Sequence, residues 1–300
     1  MANFTRFRMQ EFISKASTLL EALPYIQRFS GQTFVVKYGG SFMDSTDPAV
    51  RNGVARDIVF LEAVEINPVV VHGGGKAITR AMASAGISAK FIQGQRVTDE
   101  ATVEVVERVL SREINPEIVE TINSLGGCAR GFAGSDIFKC RQMYLDGANG
   151  EKIDIGYVGE VTQVNVEPLL ACLKAGATPV ISPTARGETD GKVYNCNADI
   201  AAAQTAIALH AARLVFMSDV PGLMRDPKDA STIIPNLRVA EVPALKAGGI
   251  VDHGMIPKID SAVAAIESGI HKVSLVDGRV PHALLLEIFT DAGLGTEVVP

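Results

Sequence analysis

The chain has no tryptophan, and aromatic residues make up only 6% of it, so its core must be filled mainly by aliphatic side chains. It has four cysteines, Cys128, Cys140, Cys172 and Cys196, with no CxxC pair among them. A chain of 300 residues buries roughly 75% of its unfolded surface and needs no covalent staple. The cysteines therefore read as free thiols in a reducing cytoplasm. No apolar run reaches the about 18–20 residues that span a bilayer, which argues against a membrane protein. Positive charge is in deficit. Lys and Arg number 28 against 34 Asp and Glu, a net charge of -6, which argues against a general nucleic-acid binder. HExxH and the EF-hand loop are missing, so no protein-built metal cage is visible. GxxxxGK[ST] is missing too, and neither glycine cluster reads GxGxxG. That removes an ordinary P-loop and disfavours a nicotinamide-dependent dehydrogenase.

What is present is an alternation of short β-rich runs and helical patterns. Thr33–Lys37, Pro68–His72, Thr178–Ile181, Leu214–Met217 and Val273–Val276 read as buried strands. Helices are expected from about Asn52, after Gly75, over Asp99–Leu125 with a break before Pro116, and over Val166–Ala175 and Ala198–Ala212. Further helices are expected near 239–247, over 257–268 and over His282–Ala292, while the glycine-spaced runs of 136–165 suggest hairpins. Strands separated by helices imply right-handed βαβ units, hence an α/β fold with a mainly parallel sheet covered on both faces.

Residues 1–30 stand apart. Met9, Phe12, Ile13, Ala16, Leu19, Leu20 and Leu23 recur at helical spacing, and Pro24 should kink or end that helix. Arg6, Arg8 and Ser14 fit a transit peptide, but Glu11 and Glu21 count against it. The helix either packs on its own domain or is an arm that packs on another subunit.

Ligands of such sheets bind beyond the carboxyl ends of the strands, and two strand ends carry glycine clusters. One is His72-Gly73-Gly74-Gly75, opening a helix; the other is Gly39-Gly40, preceded by Lys37. Each is either a tight turn or a place where backbone N–H groups approach an anion. Lys258, behind Pro257 in the first turn of a helix, has the wrong sign for the helix dipole, at a cost of roughly 0.3–1 kcal/mol. It is either a solvated lysine or a phosphate ligand. Asp199 and Asn197 open the Ala-rich helix and are at least a cap. Arg96, in a loop, either forms a surface ion pair or clamps a carboxylate.

Taken in order, Lys37-Tyr38-Gly39-Gly40, His72-Gly73-Gly74-Gly75, Gly94-Gln95-Arg96-Val97-Thr98, Asn195-Cys196-Asn197-Ala198-Asp199, Ser218-Asp219-Val220-Pro221-Gly222 and Gly254-Met255-Ile256-Pro257-Lys258 resemble the acetylglutamate kinase branch of the amino acid kinase family. The resemblance covers about residues 31–300. It implies a three-layer αβα sandwich with a mainly parallel central sheet, in two lobes plus an N-terminal helix. The helix would be 1–30, the acid-binding and dimerising lobe 31–195, and the nucleotide lobe 196–300. It implies a kinase that transfers the γ-phosphoryl of ATP to the side-chain carboxylate of N-acetyl-L-glutamate in arginine biosynthesis.

Residue by residue, the resemblance makes Lys37 and Lys258 transition-state stabilisers and Asp199 the group that orients them. Gly40 becomes a backbone donor to the transferring group, Gly74 and Gly75 substrate-binding glycines, and Arg96 and Asn195 ligands of the acid. ATP would lie on the Ser218–Arg225 stretch, including Ser218, Asp219, Gly222 and Leu223, with Mg²⁺ held chiefly by phosphates and water. The C-terminal segment around His271, Asp277, Arg279, His282, Glu287 and Gly293–Thr296 resembles that of arginine-inhibited members. There Glu287 and Gly293 would contact arginine, and the N-terminal helix would build a hexamer as a trimer of dimers. Arg213 departs from that pattern, standing where a lysine is expected. Competing readings are a kinase of the same fold acting on N-acetyl-aminoadipate or aspartate, and a non-catalytic arginine or nucleotide sensor.

Overall fold

The computed structural model describes residues 2–39, 43, 45, 47–147, 149–252, 254–291 and 293–300; for 2–8 and 11 it describes the backbone alone. Among the described residues the strands, in chain order, are β1 (Thr33–Tyr38), β2 (Asn67–His72), β3 (Phe91–Ile92), β4 (Gln95–Arg96), β5 (Ala129–Phe132), β6 (Phe138–Asp146), β7 (Lys152–Val164), β8 (Thr178–Ile181), β9 (Thr184–Gly187), β10 (Val193–Cys196), β11 (Arg213–Ser218), β12 (Asn236–Arg238), β13 (Val273–Asp277) and β14 (Thr296–Val299). The helices are α1 (Ala2–Phe29), α2 (Pro48–Arg51), α3 (Gly53–Ala63), α4 (Gly75–Ser84), α5 (Glu100–Glu107), α6 (Asn115–Ser124), α7 (Gly134–Ile137), α8 (Glu167–Lys174), α9 (Ala198–Ala208), α10 (Val242–Ala247), α11 (Ile256–Glu267) and α12 (Ala283–Phe289).

Eight strands form one sheet in the order β12-β14-β13-β11-β1-β2-β8-β5. Every pairing is parallel except β13 with β14. The strands drawn from 31–195 lie on one side of the β1–β11 junction and those from 196–300 on the other. Side chains alternate across the sheet, as a period of two requires. On β1, Phe34, Val36 and Tyr38 enter one core, which holds α3, the α5–α6 region and α12. Val35 enters the other, built from the alanines of α9 with Ile259, Ala262 and Ala265 of α11. Helices therefore cover both faces, and the three-layer expectation holds.

Three local expectations are corrected. Pro24 does not end α1, which runs through it to Phe29. The 99–125 helix does not break at Pro116. A π-helical stretch, Arg108–Ile114, joins α5 to α6 instead, with Pro116 the second residue of α6. The Ala-rich helix stops at Ala208 rather than Ala212, because His210 takes a left-handed conformation, φ 49°, that ends the helical path. The 136–165 hairpin is real, but β6 and β7 also pair with β9 and β10 into a small closed barrel.

Candidate active site

Lys37 is on the face of β1 that carries Val35, and this alternation aims it at α9 and α11. Asn197 caps α9, its Oδ1 accepting from the Asp199 N–H at 2.8 Å, and so places Asp199 in the first turn. Pro257 starts α11 and places Lys258 beside it. The three side chains converge. Lys258 Nζ donates to Asp199 Oδ2 at 3.0 Å. Lys37 Nζ forms an ion pair with Asp199 Oδ1 at 3.1 Å. Their side chains are only 7–13% exposed. Burial pushes the Asp199 carboxyl up, but the charges of Lys37 and Lys258 outweigh it and hold the group well below the ordinary carboxylate range. Burial pulls the Lys258 amine down, and Asp199 opposes that shift. The Lys258 amine also lies 5.1 Å above the Phe216 ring, on the strand residue registered with Lys37. One carboxylate thus spaces two ammonium groups in a nearly dry cleft at the end of the central strands.

The glycine clusters flank this triad. A Cβ on Gly39 would lie 2.9 Å from Lys37 Nζ and 3.4 Å from the Gly73 Cα, so glycine leaves room for the amine at this turn. Gly74 faces Leu110 and Ile114 of the π-helical stretch, whose methyls lie 2.5 and 2.6 Å from where its Cβ would be. Gly75 opens α4. Gly40 lies outside the described residues.

Arg96 is not in a free loop. It lies on β4, paired with β3, and is buried. Its guanidinium donates to the Gly75 carbonyl at 3.0 Å and the Thr79 hydroxyl at 2.9 Å, approaches Met82 Sδ, and covers the Phe91 ring. Among the described residues all these partners are neutral, and the surface ion pair is not formed. Burial lowers its pKa from the ordinary arginine value. Asn195, on β10, donates to Thr98 Oγ1 at 3.5 Å, and Thr98 in turn donates to the Arg96 carbonyl. The two proposed acid ligands are thereby linked through Thr98, a residue the sequence reading quoted without a role.

The Ser218–Leu223 segment leaves β11, the neighbour of β1. The Ser218 carbonyl accepts from Gly278 N–H, and Asp219 lines a cavity of about 300 Å³ with Tyr38, Gly74 and Gly75. Gly222 has φ +156°, and a Cβ there would sit 2.7 Å from Thr296 Oγ1. Leu223 is buried in the core and its N–H donates to Thr296 Oγ1. Glu287 lies away from the triad, on α12 against β13. It is buried, with Oε1 accepting from Ser274 Oγ at 2.7 Å and facing Lys272 Nζ at 3.1 Å, while Oε2 accepts from Leu294 N–H. Gly293, φ +60°, would place a Cβ 3.5 Å from that Oε2.

The sequence motifs give no role to Phe216, whose ring lies beneath the Lys258 amine, or to Asn115, which contacts His72. Phe216 was findable from period-two alternation on β11, but Asn115 lies past a π-helical stretch that no apolar periodicity announces. Among the described residues, no group of three or more His, Cys, Asp or Glu side chains is placed to hold a metal ion. Nor is any helix long and apolar enough to cross a membrane.

Comparison with known proteins follows the same lines. The model of the amino acid kinase family matches residues 32–277. Acetylglutamate kinase of Geobacter metallireducens is 48% identical over 298 residues, covering 97% of this chain and 99% of that protein. Among solved structures, N-acetylglutamate synthase from Neisseria gonorrhoeae complexed with coenzyme A and N-acetyl-glutamate is 25% identical, with a TM-score of 0.81 over 95% of this chain and 63% of that one. The same synthase complexed with coenzyme A and L-arginine is 26% identical, with a TM-score of 0.76 over 95% of this chain and 65% of that one. The chain spans less than two thirds of the synthase's length. With the family model and a full-length relative in agreement, the chain belongs to the amino acid kinase family and, within it, to the acetylglutamate kinases.

Proposed function

We propose that the protein transfers the γ-phosphoryl group of ATP to the side-chain carboxylate of N-acetyl-L-glutamate through Lys37, Asp199 and Lys258, as a cytoplasmic step of arginine biosynthesis. The observation that carries this is the clamp of Asp199 between the two lysines. The nucleophile is a carboxylate with pKa near 4.3, ionised at neutral pH, so no general base is required. The obstacle is repulsion between an anion and a polyanion, and catalysis rests on positioning and on stabilising charge at the transferring group. Lys37 and Lys258 supply that charge from opposite sides of one carboxylate, and Asp199 holds them apart at fixed spacing. Arg96, whose partners among the described residues are neutral, suits the substrate's non-reacting carboxylate, and Asn195 is linked to it through Thr98. The Ser218–Leu223 segment would carry the nucleotide. Mg²⁺ would be held chiefly by phosphates and water.

Arginine is proposed as a feedback inhibitor acting at Glu287 and Gly293. An incoming guanidinium would compete with Lys272 for the Glu287 carboxylate. On α1, Met9, Phe12, Ile13, Leu19 and Leu20 are 50–68% exposed, while Tyr25 and Phe29, near the helix's end, pack on the body. That stripe supports an arm that packs on the matching helix of a neighbouring subunit and links dimers into a hexamer.

ATP-dependent acyl-hydroxamate formation tests the reaction, with glutamate, acetylglutamate, acetylaminoadipate and aspartate as acceptors. Acetylglutamate is expected to give the highest kcat/KM. A preference for acetylaminoadipate or aspartate would move the enzyme to a sister activity, and no product with any acid would leave a sensor.

A further inference from the structure

His72 ends β2 directly before the glycine loop and is fully buried. Its Nε2 lies 3.3 Å from Asn115 Nδ2, and its Nδ1 lies 2.9 Å from the Gly73 carbonyl oxygen. Asn115 is buried, and its Nδ2 also donates to the Val180 carbonyl at 2.9 Å. A carbonyl can only accept, so Val180 settles which end of the Asn115 amide faces His72. That end is a donor. His72 Nε2 must then be the unprotonated nitrogen, and Nδ1 carries the proton and donates to the Gly73 oxygen. Burial pushes the His72 pKa down to about 4, so the ring is neutral near pH 7.

The Gly73 carbonyl and the Gly74 N–H belong to one planar trans peptide and point in opposite directions. Holding the carbonyl therefore fixes the direction of the Gly74 N–H. A Gly-Gly peptide flips readily unless something holds it. Leu110 and Ile114 crowd the Gly74 Cα, where a Cβ would lie 2.5 and 2.6 Å from their methyls, and they belong to the same π-helical stretch that delivers Asn115.

We propose that His72 and Asn115 are positioning residues for phosphoryl transfer: Asn115 selects the Nδ1–H tautomer of His72, and that proton pins the Gly73–Gly74 peptide so that the Gly74 N–H stays aimed at the bound acid. This rests on the reading of Gly74 and Gly75 as the substrate cradle.

The test compares His72→Leu, which removes both ring nitrogens, with His72→Asn. The Asn side-chain nitrogen sits as many bonds from the Cα as Nδ1 does and can donate to Gly73. His72→Leu should raise the KM for N-acetylglutamate about tenfold, the effect of one lost hydrogen bond, with the KM for ATP changed less than about twofold. His72→Asn should recover most of that loss even if its melting temperature falls as far as that of His72→Leu. Asn115→Leu should raise the same KM without touching His72. In the unaltered protein, the ¹⁵N shift of His72 Nε2 should be that of an unprotonated nitrogen. Equal KM values for the Leu and Asn variants, or an Nε2 that carries the proton, would overturn the proposal. Gly75→Ala separates it from the cradle reading, because among the described residues a Cβ there meets nothing within 4 Å. If Gly75→Ala raises the acid KM while His72→Leu does not, the cradle stands and the positioning role fails. If Gly75→Ala leaves that KM alone, the cradle itself is misplaced.

Discussion

Lys37, near the end of the central strand, meets Asp199, in the first turn of α9, at 3.1 Å. Neither position produces that contact alone. The strand's alternation sends Lys37 to the α9 side, the Asn197 cap fixes where α9 begins, and the β1–β11 pairing brings the C-terminal half of the sheet alongside. Lys258 completes the arrangement on the other carboxylate oxygen.

Lys37→Ala and Lys258→Ala should each lower kcat on the order of 10²–10³-fold, as loss of one electrostatic stabiliser does, with smaller changes in either KM. Steady-state kinetics on both substrates measures this. Near-normal turnover in either variant removes that lysine from the mechanism.

Gly39→Ala should act through Lys37. The new methyl would stand 2.9 Å from Nζ, so the end of the lysine must shift. A loss of kcat smaller than that of Lys37→Ala is expected, with the fold intact by circular dichroism. Unchanged kcat would mean that the amine has room to spare.

Arg96→Ala should raise the KM for N-acetylglutamate more than that for ATP, since the guanidinium holds a part of the substrate that does not react. A raised ATP KM beside an unchanged acid KM would move Arg96 to the nucleotide site.

Asp199→Asn should destabilise the fold by about 3 kcal/mol near pH 7, because two buried ammonium groups lose their counter-charge. The folded pKa of Asp199 is depressed, so its contribution is fully present above the unfolded value of about 3.9 and is lost as pH falls below it. Urea titrations should show a constant gap between wild type and variant from about pH 5 to 8, narrowing only below about pH 4. A gap that closes near neutral pH would contradict the assignment.

Glu287→Gln should abolish arginine inhibition while sparing kcat, and removal of residues 1–28 should leave an active dimer with a weaker arginine response. Kinetics in millimolar arginine, together with sizing of both proteins, decides this. A full-length enzyme that runs as a dimer, or is indifferent to arginine, removes the regulatory proposal and leaves the catalytic one standing.

Much of the fold was legible. The strands Thr33–Lys37, Pro68–His72 and Val273–Val276 are apolar runs bounded by glycine or polar residues, and each lies within a strand of the central sheet. The four-stranded barrel was not legible, because β9 and β10 are four residues each and their closure depends on which strands they meet. Arg96 read as a loop residue because β3 and β4 have two residues each, too few to show a period. Pro116 read as a break because the π-helical turn before it leaves no mark in the apolar spacing.

By itself the sequence determined the α/β class, the strand–helix order and the residue types at each strand end, because these follow from local periodicity and from what glycine, proline and lysine can do. Tertiary structure alone decided which groups touch. Asp199 faces both lysines, Arg96 keeps only neutral partners among the described residues, Lys272 already faces Glu287, and Asn115 chooses the tautomer of His72. Each of these contacts joins residues far apart in the chain. Their distances are set by strand register and by how helices stack on the sheet; a shift of one residue would turn a strand side chain to the opposite face and rotate a helical one by about 100°.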